Sequence, residues 1–336
     1  MLPKRAGSKS LNLIWAAVAI AAIGFAGLLL IVNRQYVSDF LISSAFQPSG
    51  KVRQIETNVG FTKDGQRVFY AAQPSVLGAE EFNQKCPRRE EKSPILGCYS
   101  SGDRLYIYEV TNEKLDGIEE VTAAHEMLHA VWSRLSTSQR SEISNLLDVE
   151  YERVKDEAFE ERMAYYSRTQ PGDHHNELHS ILATEYSGLS PELERHYSDY
   201  FKDRDQVVSY HEGYSRYYNE LRSKSEELAS EIDKFAGQIN SDTKEYGSSS
   251  EKLSSEINDF NSRARSGSFS STSAFNTERS RLVQASDTLE QLRIQINENI
   301  QKYNQLYESY NEIASEIDIL NKSLDSFESL QDSPRI

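Results

Sequence analysis

The sequence lacks an excess of positive charge and lacks a second long apolar run. Its 37 lysine and arginine residues stand against 52 aspartate and glutamate residues, which gives a formal net charge of −15. Because phosphate backbones call for a basic protein face, this balance argues against nucleic acid as a partner and fits an acidic ectodomain. A single apolar run also argues against a chain that crosses a membrane several times, since each crossing needs an apolar run of its own.

One long apolar run is present near the N-terminus. Residues 11–32 carry no charge, and a helix of about twenty apolar residues crosses the hydrocarbon core of a bilayer, so this run predicts a transmembrane helix. No A-x-A-like cleavage site follows it, which favours an uncleaved anchor over a signal peptide. Lys4, Arg5 and Lys9 precede the run. The positive-inside tendency therefore predicts a cytoplasmic tail at 1–10 and a single-pass membrane protein whose bulk is extracytoplasmic.

The two cysteines lie close together in the chain. Cys86 and Cys98 flank a turn-rich stretch and could form a disulfide in an oxidising compartment. Two unrelated thiols are the alternative interpretation. A disulfide at these positions would agree with the predicted placement of this region outside the membrane.

The residues after the apolar run show weak patterns and then two strand-like segments. Residues 33–55 have no clear period and are predicted to be a stalk or loop. Residues 66–72 and 104–110 are rich in β-branched and aromatic side chains, so both are predicted to be strands. A short helix is expected between them, at 78–85.

From Asp116 onward the apolar residues recur with a helical period. Asp116 and Glu119 resemble a capping box at the start of a helix. Further helices are predicted at 137–166 and 174–187. Another is predicted to begin at Ser190, an N-cap residue that is followed by proline.

The C-terminal third carries a heptad pattern. Apolar residues recur three and four positions apart from 214 to 328, with a Gly/Ser-rich break at 265–275. We predict an antiparallel coiled-coil hairpin at 205–330, followed by a short tail at 331–336. A parallel dimeric rod with a flexible interruption is the alternative. Either form could hold a protein partner, self-associate or act as a passive spacer.

The pattern HExxH occurs at His125, Glu126 and His129. Histidines four apart on a helix lie on one face, so both imidazoles could bind one zinc ion (Zn2+) that keeps a position for water. Glu126 is rotated about 100° from His125, which would place its carboxylate beside that water as the catalytic general base. The resulting hydroxide would attack a peptide carbonyl polarised by the metal. A chance match on a solvated helix face is the alternative.

Two histidines leave such a site one protein ligand short, and no H-x-x-G-x-x-H extension is present. Glu185 is the first choice because it lies on the apolar face of the 174–187 helix, where a carboxylate is costly unless it is paired or metal-bound. Glu177, at the edge of that face, is the second choice. His179 could donate to the ligands or to the transition state, or lie on the surface. The possible oxyanion donors are Tyr186, His179, His196 and Tyr197.

HExxH with a glutamate from a later helix resembles the gluzincin type of zinc metallopeptidase. The likeness covers roughly residues 66–200 and rests on His125, Glu126, His129 and Glu185. It implies zinc at the ligand residues, Glu126 as general base, and peptide or protein substrates. The chain departs from the best-known members in lacking an N-E-x-x-x-D motif, which leaves the partner of the first histidine unidentified.

Together these patterns predict an α+β zincin-like domain at 56–204, made of helices with a small sheet. The strand at 104–110 is expected to be the edge strand that lines a substrate cleft. One transmembrane helix precedes this domain, and the coiled-coil hairpin follows it. The predicted function is a membrane-anchored, extracytoplasmic, zinc-dependent metallopeptidase. The alternative is a non-catalytic envelope scaffold or tether that acts through its coiled coil and keeps a structural or relic metal site.

Overall fold

The computed structural model describes residues 33–87, 95–100, 102–169 and 172–327, together with Trp15 and Val18. These residues are mostly helical, with one small sheet. The chain divides into two compact units. Unit 1 contains Met1–Arg216 and Leu320–Ile336, and unit 2 contains Tyr217–Ile319. All the candidate site residues from the sequence belong to unit 1.

Short and medium-length helices make up most of the described part of unit 1. In chain order they are α1 (Arg34–Ala45), α2 (Gly50–Val59), α3 (Lys63–Ala71), α4 (Ala79–Lys85), α5 (Ile118–Arg134), α6 (Thr137–Val154), α7 (Glu157–Thr169), α8 (His174–Glu185) and α9 (Pro191–Ser198). The strands are β1 (Ser75–Leu77), β2 (Gly97–Ser100) and β3 (Arg104–Tyr108). The two longest helices, α10 (Arg204–Ser266) and α11 (Thr272–Leu324), lie mostly in unit 2.

The sheet has the strand order β1-β3-β2. β1 pairs with β3 in parallel, and β2 pairs with β3 antiparallel, so β3 is the central strand. The strand predicted at 104–110 is therefore present, but it is not the edge strand that the sequence suggested. The edge strand that packs against α5 is β2, and no sequence pattern predicted this strand.

The main core of unit 1 gathers around α5. Side chains from most of the helices of unit 1 and from β3 meet there in one buried cluster, which includes Ile55, Phe69, Ile107, Leu128, Leu147, Leu178 and Tyr197. α5 packs against α8 on one side and against β2 and β3 on another. The helix that carries HExxH is thus held between α8 and the sheet.

The start of α5 differs from the sequence prediction. Its N-cap is Gly117 at φ +88, a conformation that glycine adopts without steric cost, and no side chain caps the helix. The predicted capping box of Asp116 and Glu119 is therefore wrong. Glu119 instead accepts a hydrogen bond from the backbone N–H of Val110 and forms an ion pair with Lys51 at 2.7 Å.

Three other local predictions also differ from the structure. The predicted stalk or loop at 33–55 folds as α1 and part of α2. The predicted strand at 66–72 belongs to α3, because the Thr62 hydroxyl accepts a hydrogen bond from the backbone at the helix start and one face of the helix is buried. The predicted helix at 137–166 is divided into α6 and α7 at Lys155, which has extended backbone angles.

Two predictions about the class of protein are wrong. The described residues are mostly helical and form only a three-stranded sheet of short strands, so the predicted α+β zincin-like class is not what the chain adopts. Among the described residues, no helix combines the length and the apolar character needed to cross a membrane. The predicted single-pass, extracytoplasmic placement is corrected on that finding. The predicted anchor at 11–32 lies outside the described residues apart from Trp15 and Val18, as do the tails at 1–10 and 331–336.

Unit 2 is formed by a pair of long helices. A short connection joins α10 to α11, and near it a small buried cluster contains Leu253, Phe260 and Leu282. An ion pair between Arg263 and Glu278 also joins the two helices there. At the other end of unit 2, the hydroxyl of Tyr217 donates to Glu316 at 3.1 Å. The two helices therefore run antiparallel, while the heptad packing of a coiled coil stays a prediction.

Candidate metal site

Two packed helices supply the candidate site. α5 carries His125 and His129 one turn apart, and α8 carries Glu177 in its first turn. Nε2 of His125 lies 3.6 Å from Oε2 of Glu177, and Nε2 of His129 lies 3.7 Å from Oε1 of the same carboxylate. The ligand atoms of all three residues lie within 4.8 Å of one another. These residues form a group, called the inner group below, that could hold a metal ion.

The donor chemistry of the inner group fits a divalent transition metal. Neutral imidazole and carboxylate are ligands that such ions accept, and three protein ligands leave coordination positions open for water or substrate. Glu177 is 3% exposed, and a carboxylate in a largely apolar interior is costly unless a positive charge or hydrogen bonds compensate it. An ion bound between the three side chains would provide such compensation.

Hydrogen bonds orient the ring of His129. Its Nδ1 lies 3.0 Å from Oδ1 of Asn176 and 3.3 Å from the hydroxyl of Ser180. A proton on Nδ1 can be donated to Asn176, which leaves the lone pair of Nε2, the atom that faces Glu177, available to a metal. No sequence pattern marks Asn176 or Ser180, although Asn176 directly precedes the ligand candidate Glu177.

The environment of Glu126 differs from that of a surface carboxylate. Its side chain is buried, and burial raises its pKa, although positive charge on His129 and His125 opposes the rise. A hydrogen bond from the backbone of Tyr99 also opposes the rise, but the effect of burial is larger and the pKa of Glu126 stays raised. A carboxylate with a raised pKa accepts a proton more readily near neutral pH.

Strand β2 approaches Glu126 at Gly97. A Cβ atom at this position would lie 2.7 Å from Cγ of Glu126 and 2.6 Å from Cγ2 of Thr122, so a larger residue would displace one of them. This contact brings the edge of the sheet directly against the HExxH helix. The sequence offered no sign of it, because the short segment at 97–100 has no alternating pattern.

A disulfide fixes the neighbouring part of β2. Cys86 and Cys98 are bonded to each other, with their Cα atoms 5.9 Å apart. Cys86 ends α4 and is buried in a small apolar cluster with Phe82 and Tyr108. The bond therefore ties β2 to α4 at the residue after Gly97.

Glu185, the first choice for a third ligand, lies outside the inner group. Its carboxylate accepts hydrogen bonds from both terminal nitrogens of Arg162, at 3.0 and 2.8 Å, and lies 3.5 Å from Nε2 of His211. Eight residues, about 12 Å of helix rise, separate it from Glu177. Glu185 is partly buried, and an arginine compensates its charge.

The residues considered as oxyanion donors have other partners. His179 is fully buried, and its Nε2 lies 2.8 Å from Nε2 of His196. Burial lowers the pKa of His179 well below its usual range and lowers the pKa of His196 to about 4. The hydroxyl of Tyr197 donates to the backbone oxygen of His179 at 2.9 Å, and Tyr186 stacks on Phe159.

Tyr166 on α7 is a residue that the sequence analysis missed. Burial raises the pKa of its hydroxyl above the usual range, and the negative charges of Glu177 and Glu126 raise it further. Both carboxylates therefore act on this hydroxyl, which stays protonated and able to donate a hydrogen bond. Its signal in the sequence was weak, since tyrosines are frequent throughout this chain.

Comparison with known proteins gives no match, neither to a family model nor to a curated protein nor to a solved structure. The function must therefore be inferred from the residues themselves. Three features bear on it: the inner group, the buried Glu126 beside its two histidines, and the edge strand that contacts Glu126.

Proposed function

We propose that this chain is a zinc-dependent metallopeptidase. The observation that supports the proposal best is the inner group, in which Glu177 from α8 meets both histidines of the HExxH pattern. Two imidazoles and a carboxylate from a later helix resemble the ligand set of gluzincins. Among the metals that fit this set, zinc combines Lewis acidity with a tolerance for open coordination positions.

His125, His129 and Glu177 would hold the ion. Bound zinc would lower the pKa of a water molecule and polarise a peptide carbonyl. Asn176 keeps the ring of His129 in the orientation that presents Nε2 to the ion. Because a ligand must keep its lone pair, the hydrogen bond at Nδ1 also selects the tautomer that can bind.

Glu126 would accept the proton of the attacking water. It follows His125 in the helix, so it is rotated about 100° away from the first ligand and is not itself a member of the inner group. Its raised pKa suits this proton transfer and the later return of the proton to the leaving amine. Burial keeps the hydroxyl of Tyr166 protonated by raising its pKa, and the charges of Glu177 and Glu126 act in the same direction, so we assign this hydroxyl as a donor to the oxyanion.

The test compares peptide hydrolysis by the full chain with that of a Glu126→Gln variant, using a peptide library and zinc-loaded protein. Glu126→Gln should keep the bound zinc and lower the rate of hydrolysis by about 100-fold or more, the usual contribution of a general base. The matched control is Glu120→Gln on the same helix. Its buried carboxylate accepts a hydrogen bond from Asn58 at 2.8 Å and should leave hydrolysis largely unchanged.

Two outcomes would overturn the proposal. A zinc-loaded wild-type protein that cleaves no peptide would favour the alternative of a scaffold with a structural metal site. A Glu126→Gln variant that cleaves as fast as the wild type would show that this carboxylate is not the base.

A further inference from the structure

We propose that Asp148, His174 and His175 form a second metal site, called the outer group below. Asp148 comes from α6, and the two histidines come from the first turn of α8. The ligand atoms of the three residues lie within 4.8 Å of one another. Nε2 of His175 lies 3.0 Å from Oδ1 of Asp148, so the two helices already meet at this point.

The donor set of the outer group selects the kind of ion. Two imidazoles and one carboxylate suit divalent transition metals such as zinc, nickel and copper, whereas calcium and magnesium prefer sites made of oxygen atoms. The aromatic ring of Tyr151 contacts His174 edge-on with the ring centroids 6.3 Å apart, which restricts the orientation of that imidazole. The outer group is therefore assigned to a transition-metal ion.

Exposure distinguishes the outer group from the inner one. The side chains of His175 and Asp148 are 36% and 57% exposed, so an ion can enter from solvent and keep water as its remaining ligands. Their accessibility and the partial positive charge at the start of α8 both weaken the attraction for a cation. The outer group should therefore bind its ion less tightly than the inner group.

An ion in the outer group would connect α6 to the turn of α8 that carries the inner ligand. His175 precedes Asn176 and Glu177 directly in the chain, and these residues serve the inner group. A metal bridge from Asp148 would hold this turn in place. The inference concerns metal binding alone and does not depend on peptidase activity.

The test measures zinc stoichiometry on the full chain without an affinity tag, by titration followed by elemental analysis. We expect Asp148→Asn and His175→Ala each to bind one equivalent fewer than the wild type. The matched control is Glu152→Gln, which removes an exposed carboxylate from the same helix, one that pairs with Lys155 at 3.2 Å. This control should bind as many equivalents as the wild type.

A second set of variants keeps the two groups distinguishable. Glu177→Gln should remove only the tighter equivalent and leave the weaker one, and circular dichroism should show that each variant keeps its helices. The proposal is overturned if Asp148→Asn and His175→Ala, both folded, retain the wild-type stoichiometry. It is also overturned if Glu152→Gln loses the same equivalent, because the loss would then reflect general surface charge.

Discussion

Helix α8 has a carboxylate near each of its ends, and the two carboxylates have different partners. Glu177 in the first turn faces the imidazoles of His125 and His129, whereas Glu185 at the last residue is bound by the guanidinium of Arg162. Both are largely buried. A permanent cation compensates Glu185, while Glu177 faces groups that are neutral when unprotonated. Burial therefore indicates that a carboxylate needs a partner. The identity of the partner is what distinguishes a candidate metal ligand from a member of a structural ion pair.

The largest expected effect is the loss of metal affinity when Glu177 is substituted. Glu177→Gln keeps the size of the side chain but removes the negative ligand, so zinc affinity of the inner group should fall by more than about 100-fold, beyond the loss typical of supporting residues. Glu185→Gln should leave this affinity within a few-fold of the wild type. Competition with a zinc-binding indicator measures both.

The proposed difference between Glu177 and Glu185 would be wrong if the two variants had the same zinc affinity. A loss of zinc affinity in Glu185→Gln as large as that in Glu177→Gln would mean that the ion pair with Arg162 opens and Glu185 takes part in binding. An unchanged zinc affinity in Glu177→Gln would mean that Glu177 is not a metal ligand, and the inner group would then not be the zinc site.

A smaller effect is expected from the residue that orients His129. Asn176→Ala removes the acceptor at Nδ1, and loss of such a partner lowers metal affinity by about 10- to 100-fold. Ser180→Ala is the matched comparison, since its hydroxyl lies farther from the same nitrogen, at 3.3 Å. It should cost less affinity than Asn176→Ala. Equal losses in the same titration would indicate a general packing defect in α8 instead of a specific hydrogen bond.

The smallest effect is on the stability of the metal-free protein, and here the order of the two carboxylates should reverse. Glu185→Gln leaves Arg162 without its ion pair and should lower the free energy of unfolding by about 1–2 kcal/mol, a value reduced because Arg162 is partly exposed. Glu177→Gln should lower it less, because the side chains that Glu177 faces at the site are the imidazoles of His125 and His129, at 3.6 and 3.7 Å, and these carry no permanent charge. Urea unfolding of zinc-free protein measures both, and a larger loss in Glu177→Gln would contradict the assignment.

The sequence was sufficient for features set by local spacing. His125 and His129 share a helix face because of the helical period alone, and this requires no knowledge of the tertiary fold. The choice between Glu177 and Glu185 was different. Both lie toward the interior on the same predicted helix, and which end of α8 crosses the histidines depends on how α8 packs against α5.

Segments whose structure depends on tertiary contacts were predicted least well. The aromatic and β-branched residues at 66–72 favoured a strand by composition, yet Thr62 starts a helix there and Val68 and Phe69 are buried in its core-facing side. β2 gave no signal because it is four residues long and begins with Gly97. Its position is set by pairing with β3 and by the disulfide at Cys98, neither of which follows from local pattern.

The Cys86–Cys98 bond has a consequence for how this protein can diverge in evolution. Pairing with β3 holds one side of β2, and the bond holds β2 to α4, so residues 88–94 do not have to fix the position of Gly97. Substitutions or insertions among residues 88–94 can therefore accumulate while the close contact of Gly97 with Glu126 is kept. In related chains, residues 88–94 are where we would expect the sequences to differ first.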